Sequence, residues 1–267
     1  MNTAPSQTDR WVEGDAYEPY IGRWSRFVAN DFLKWLSLPQ KLSWIDVGCG
    51  TGALSETIIQ NARPRALLGI DQSEAYVSFA RRRLETEGAK FVTGSAEKID
   101  AKESVFDAAV SGLVLNFVPH PALAAGEMIR VTRPGGTVAA YVWDYAGKME
   151  LIRKFWDAAI QLDSAAAIAD EGKRFPLCLP GALRALFETA GLRSVEERAI
   201  DVETRFRDFD DYWNPFLGGQ GPAPGYAMSL SAEQRTALRE LLRKQLNAAN
   251  DGSISLTARA WAVRGVR

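Results

Sequence analysis

At 267 residues the chain can bury a substantial core, as one large domain or two small ones. Its apolar and charged fractions, 46% and 24%, are those of an ordinary soluble globular protein. With 32 basic and 33 acidic residues the formal charge is −1, which excludes a global positive field that would draw nucleic acid or an anionic membrane. Two cysteines, Cys49 and Cys178, give no disulfide framework and suit a reducing cytosol. The opening "MNTAPSQTDRW" is polar, and no apolar run reaches membrane-spanning length, so the expected location is cytoplasmic. His120 is the sole histidine and no Cys/His cluster exists, so no metal site is expected.

In chain order, residues 17–36 place Trp24, Phe27, Val28, Phe32 and Trp35 or Leu36 at helical spacing, predicting a helix that packs on a sheet. From Ser43 to about Trp143, short apolar runs alternate with helical periods. The runs are "SWIDV", "ALLGID", "AKFVTG", "VFDAAVSG" and "GTVAAYVW"; the helical segments are "ALSETIIQNA", "SEAYVSFARRRLETEG" and "PALAAGEMIRVT". Ser73 reads as an N-cap, Gly88 as a stop, and Val77, Ala80 and Leu84 share one helix face. Strands that are apolar throughout are those buried on both faces by crossover helices, so the predicted class is a doubly wound α/β sheet. Beyond it come a helix near 148–162, a helix in "GALRALFETAG", a strand in "SVEERAIDVETRF", an amphipathic helix in "SAEQRTALRELLRKQLNAAN" and a closing strand in "SISLTARAWAVRGV". Residues 214–229, dense in Gly and Pro, read as a mobile loop over a site. No repeat or linker divides the chain. The expectation is one domain over 1–267, with a cofactor-binding core at 17–143 and substrate-cap elements at about 148–190 and 206–235.

The segment "WIDVGCGTGALSE" sets Gly48, Gly50 and Gly52 directly after an apolar run that contains Asp46. Strand, glycine-rich turn and helix is the nucleotide-binding arrangement at the carboxyl end of a parallel sheet. The spacing here is G-x-G-x-G rather than the G-x-G-x-x-G that seats a pyrophosphate on a helix N-terminus. A carboxylate at Asp46 would repel pyrophosphate and favour a ligand with positive groups beside the loop. S-adenosylmethionine fits, carrying a sulfonium and an ammonium and no phosphate. In "GIDQS", Asp71 comes nineteen residues after Gly52, where an acid can accept both ribose hydroxyls.

At these residues the chain resembles the class I S-adenosylmethionine-dependent methyltransferases, nearest to the ubiquinone/menaquinone-biosynthesis type. The likeness is good from about Tyr17 to Trp143 and holds only in outline beyond. It implies a Rossmann-like seven-stranded sheet, mostly parallel with one antiparallel strand, in the order 3-2-1-4-5-7-6. It also implies a cofactor site of Asp46, Gly48, Cys49, Gly50, Gly52, Asp71 and Gln72. "GSAEKI" is similar to the third-strand motif, in which position 95 is commonly an Asp that meets the adenine amine. Ser95 departs from that pattern, while the Ala96 N–H would reach adenine N1 and Glu97 flanks it. "FDAAVSGLVLNFV" is similar to the fourth-strand motif, placing Ser111 and Leu113 beside the methionine portion. "YEPYIGRWSRF" resembles segments that cover the ligand, bringing in Tyr20 and Arg23.

Methyl transfer from a sulfonium needs alignment and exclusion of water more than it needs a triad, and no triad is visible. Asp144 and His120 are the candidate bases for an acceptor that arrives protonated. The substrate pocket is expected from Trp24, Asn116, Tyr145, Trp156, Trp213 and Phe216, an aromatic lining suited to a small organic acceptor rather than a macromolecule. S-adenosylhomocysteine would be the product. A binding protein without methyl transfer and a nicotinamide-dependent oxidoreductase are the alternatives, and no oligomeric state is read from the chain.

Overall fold

A computed structural model describes residues 21–218 and 221–267. Tyr20 lies outside them. Helix α1 (Arg23–Leu36) precedes β1 (Ser43–Val47), α2 (Ala53–Ala62), β2 (Ala66–Asp71), α3 (Glu74–Leu84), β3 (Ala89–Thr93), β4 (Phe106–Gly112), α4 (Pro121–Val131) and β5 (Thr132–Trp143). After β5 come α5 (Glu150–Leu162), α6 (Glu171–Arg174), α7 (Ala182–Thr189), β6 (Arg193–Phe206), α8 (Phe209–Trp213), α9 (Pro222–Ser229), α10 (Ala232–Gln245) and β7 (Ile254–Val266).

The strands form one seven-stranded sheet in the order β3-β2-β1-β4-β5-β7-β6, as the resemblance implied. β1 pairs in parallel with β2 and β4, β2 with β3, and β4 with β5, whereas β7 runs antiparallel to β5. Every residue of β1 is buried, as a central strand covered on both faces requires. The strand order reverses between β1 and β4, and a crevice opens at such a switch point beyond the carboxyl ends of the strands.

The described residues divide into two compact units. One comprises 25–143, 177–200 and 260–267; the other comprises 21–24, 144–176 and 201–259. In the first, α1 buries Val28, Phe32 and Leu36, and Phe32 meets Tyr141 of β5 with ring centroids 4.7 Å apart. Phe27, expected on that face, is exposed, because the buried stripe steps by four residues from Val28 and leaves it on the opposite side. In α3 the expected stripe holds: Val77 and Ala80 are buried, and Ser73 caps the helix by accepting the Tyr76 N–H. That helix stops at Leu84, ahead of Gly88.

The second unit holds a dense aromatic core. Phe155 stacks on Phe216 at 4.5 Å, and Tyr226 lies against Trp156 at 5.3 Å. The segment 214–229 is largely ordered within it as a 3₁₀ turn (Asn214–Gly218) and α9. Pro222 occupies the first helical position, where a missing N–H costs nothing, and Ala223 and Ala227 are buried. Packing of α9 overrides a composition that reads as loop.

Candidate functional site

The glycine turn joins β1 to α2 in the first unit. Gly48, Gly50 and Gly52 take φ of +77°, +52° and +94°, a left-handed backbone that side chains disfavour. The three glycines have different surroundings. A Cβ on Gly48 would lie 2.4 Å from the Val114 Cγ1, and one on Gly52 would lie 2.5 Å from the Leu84 Cδ1. A Cβ on Gly50 would meet nothing within 4 Å, so this glycine faces open space. The turn is pinned from β2, where the Ile70 carbonyl accepts the N–H groups of Gly48 and Cys49 at 2.8 and 2.9 Å.

Asp71 ends β2 and is tied to the same turn. Its Oδ2 accepts the Gly50 N–H at 3.0 Å and its Oδ1 accepts the Ser73 N–H at 2.9 Å. Each oxygen keeps a lone pair for a ligand hydroxyl. Burial pushes the Asp71 carboxyl above its ordinary value, and these two amide bonds draw it partly back.

Asp46 sits differently. Its side chain is wholly buried beneath the turn, with Oδ2 accepting the Ser55 hydroxyl at 2.6 Å and Oδ1 holding no partner. Burial pushes its pKa up to about 7; the Ser55 hydroxyl opposes the shift and the neighbouring Asp71 charge adds to it. Cys49 is also buried, and burial raises its thiol further, which makes it a poor nucleophile.

A pocket opens beside the turn, lined by Gly48, Asp71, Gln72, Gly94, Ser95, Ala96, Glu97, Val114, Phe117, Val118 and Pro119. Its volume of about 170 Å³ is more than ten times what one water needs, so it suits a multi-ring ligand rather than an ion. An acid at β2 and another after β3 supply polar contacts, and the 114–119 segment supplies an apolar wall. Among the described residues the lining contains no Lys, Arg or His. The glycine spacing points to Gly48 and Asp71, and the resemblance implies Gln72, Ser95, Ala96 and Glu97; all six line this pocket. The wall of Val114, Phe117, Val118 and Pro119 is an addition. Its only trace in the sequence is an apolar run extending beyond the end of β4.

The remaining expected residues are not among those lining the pocket. Ser111 is fully buried at the end of β4 with its hydroxyl unpartnered, and Leu113 takes φ +63° with its N–H donated to the Tyr141 carbonyl at 2.7 Å. The Asn116 Nδ2 is buried without a partner. His120 is exposed at the N-terminus of α4, with its ring Nδ1 3.3 Å from Glu97.

Asp144, Arg23, Trp24, Tyr145, Trp156, Trp213 and Phe216 belong to the second unit. There the Asp144 carboxylate is buried and accepts the Lys148 N–H at 2.9 Å, closing a turn. Arg23 pairs with Asp211 at 3.0 Å and lies over Trp24 and Phe206 at 4.4 and 4.9 Å. Tyr145, Trp156, Trp213 and Phe216 are all buried in aromatic packing.

Residues 45–140 match the family model described as a methyltransferase domain. The matched span contains every residue that lines the pocket. The chain is 31% identical to a fatty-acid O-methyltransferase of Mycolicibacterium smegmatis over 46% of this chain and 46% of that one. It is 29% identical to a ubiquinone/menaquinone biosynthesis C-methyltransferase of Bartonella quintana over 48% of this chain and 52% of that one. The chain thus spans about half the length of the curated relatives it matches. Beyond the matched segment the fold likeness continues. A phosphoethanolamine N-methyltransferase of Haemonchus contortus, solved with S-adenosyl-L-methionine, superposes with a TM-score of 0.59 at 12% identity, covering 95% of this chain and 56% of that one.

Proposed function

We propose that the chain is an S-adenosylmethionine-dependent methyltransferase that moves a methyl group to a small organic acceptor. The observation that carries this reading is a pocket of about 170 Å³ with a carboxylate from β2, a second carboxylate after β3 and, among the described residues, no cationic side chain. Such a lining repels a pyrophosphate and accepts hydroxyl and amine donors, which argues against a nicotinamide dinucleotide. The residues fit the group. Asp71 would take the ribose hydroxyls on its free lone pairs, the glycine turn would let backbone approach the ligand, and Ser95, Ala96 and Glu97 would meet the base.

When bound, the sulfonium supplies an electrophilic methyl. The protein's part is to hold the partners in line and exclude water. His120 and Asp144 are each engaged locally, by Glu97 and by the Lys148 N–H respectively, so alignment is assigned as the main contribution. Either carboxylate or imidazole matters only for an acceptor that arrives protonated. Fatty-acid and quinone-type acceptors of the two relatives define the first compounds to screen.

Calorimetric titration with S-adenosylmethionine, S-adenosylhomocysteine and NADH tests the cofactor. Micromolar binding of the first two and none of the third is expected; binding of NADH alone would overturn the reading. Turnover of the cofactor with a panel of small acids and phenols then separates an enzyme from a binding protein.

A further inference from the structure

The parallel strands of the first unit send their loops to two opposite ends of the sheet. The pocket lies beyond the carboxyl ends, where Asp71 and Glu97 supply acids. The starts of the same strands carry the opposite charge. Lys41 comes just before β1, Arg63 and Arg65 before β2, Lys102 before β4, and Arg133 follows the first residue of β5. Because β7 runs antiparallel to β5, with Val266 opposite Thr137, Arg267 reaches the same edge from the other direction.

Contacts make these residues neighbours. The Lys41 N–H donates to the Arg63 carbonyl at 3.1 Å, and the Arg65 guanidinium donates to the Ser43 hydroxyl at 2.9 Å. Arg65 and Arg133 converge on the buried Asp107 carboxylate at 3.9 and 2.6 Å, so one acid serves two guanidiniums, whose side chains stay 69% and 55% exposed. The Arg267 side chain donates to the Ser104 hydroxyl and the Arg130 carbonyl, both at 2.9 Å. Lys41, Arg63 and Lys102 are exposed, and among the described residues none of the three is ion-paired. The exposed acids at this edge are Glu87, Asp100 and Glu103, and the charge of Glu103 acts on Arg130. Cations therefore outnumber acids here, although the formal charge of the chain is −1. The edge also shows apolar groups. Val105 is 48% exposed, with its N–H fixed to the Val131 carbonyl at 2.9 Å, and Pro134 beside Arg133 is exposed too.

We propose that this edge of the sheet docks the protein on an anionic lipid surface. The guanidinium and ammonium groups answer the lipid phosphates, and Val105 and Pro134 meet the boundary of the acyl layer. Apolar groups among cations favour a bilayer over a nucleic acid, whose backbone offers only phosphate and sugar. Each basic side chain near such a surface contributes about fivefold in affinity, so the attachment is reversible, salt-sensitive and independent of any spanning helix. The same separation of charge orients the bound molecule, with the acid-lined pocket at the end of the sheet away from the lipid. None of this depends on which ligand the pocket takes.

The test is co-sedimentation of the full chain with vesicles of phosphatidylcholine alone and of an equal mixture of phosphatidylcholine and phosphatidylglycerol. Binding to the mixed vesicles and not to the neutral ones is expected, with release as salt is raised. The triple variant Lys41→Gln/Arg63→Gln/Lys102→Gln removes only cations that pair with nothing, so it should melt as wild type does and bind the mixed vesicles about 100-fold more weakly. Val105→Ser keeps every cation; it should weaken binding severalfold and leave the salt dependence as it was, which keeps the proposal testable should the triple variant not fold. Equal binding to both kinds of vesicle, no binding to the mixed ones at low salt, or undiminished binding by the triple variant overturns the proposal. Retention on immobilised poly-L-glutamate without vesicle binding overturns it as well, in favour of an acidic polypeptide partner.

Discussion

Asp46 and Asp71 flank the same glycine turn in different circumstances, and each leads to its own prediction. Asp71→Ala removes the proposed ribose acceptor and is expected to weaken S-adenosylmethionine binding by about 1.5–3 kcal/mol. Unchanged affinity by calorimetry would remove the ribose assignment. Gly50→Val places a branched side chain where nothing lies within 4 Å, at φ +52°. It should abolish ligand binding while costing only about 1–2 kcal/mol of backbone strain, so a folded, non-binding variant is the expected result. Asp46 concerns stability. Its folded pKa of about 7 stands above the ordinary carboxylate value of 3.8, so the native state holds a proton that the unfolded chain has lost between those pH values. The protonated form is the well-tolerated one, and stability falls as pH rises through that window. Relative to Asp46→Asn, wild type should lose roughly 4 kcal/mol between pH 4 and pH 8. Parallel melts at the two pH values that show no divergence would mean that Asp46 is not buried as described.

At the scale of elements, the alternation of buried strand and amphipathic helix from Ser43 to Trp143 is legible in the sequence because both signals are local. "ALLGID" is β2 residue for residue, and Ser73 caps α3 as its chemistry suggests. Residues 214–229 read as a loop because Gly and Pro speak to backbone preference, whereas Ala223 and Ala227 order α9 through burial that sequence does not display. The run "GTVAAYVW" is expected to open at Gly136, but β5 already starts at Thr132; its register with β4 shifts between Phe106 and Ala108, and Gly135 takes φ +78° there. The pocket's acids are visible from spacing and motif. Its apolar wall is not, because Val114 and Phe117 reach the site only through the fold of the chain after β4. Local chemistry also starts α10, where Ser231 and Gln234 form a reciprocal capping box. Ser231→Ala should cost about 1 kcal/mol, read as a lower urea midpoint at unchanged slope. No change in midpoint would show that this helix is held by Leu238 and Leu242 alone.

For the whole molecule, no helix among the described residues is long and apolar enough to cross a membrane, and the formal charge is −1. A ligand that binds only the folded chain raises stability by mass action, about 2.7 kcal/mol at a hundred times its dissociation constant. S-adenosylhomocysteine at that level should therefore raise the melting temperature by several degrees, at roughly 2–4 °C for each kcal/mol in a chain of this size. ATP at equal concentration should not.

The contrast with ATP comes from a pocket lining that has two acids and no base. Inside a cell, adenine nucleotides far outnumber any sulfonium donor, and they offer the same purine and the same ribose. A site that recognised only those shared parts would spend its time filled with the wrong molecule. On the proposed reading, a lining without a cationic side chain among the described residues would disfavour a phosphate tail and so these competitors, without a single residue devoted to them. A lysine added to the rim should weaken that discrimination.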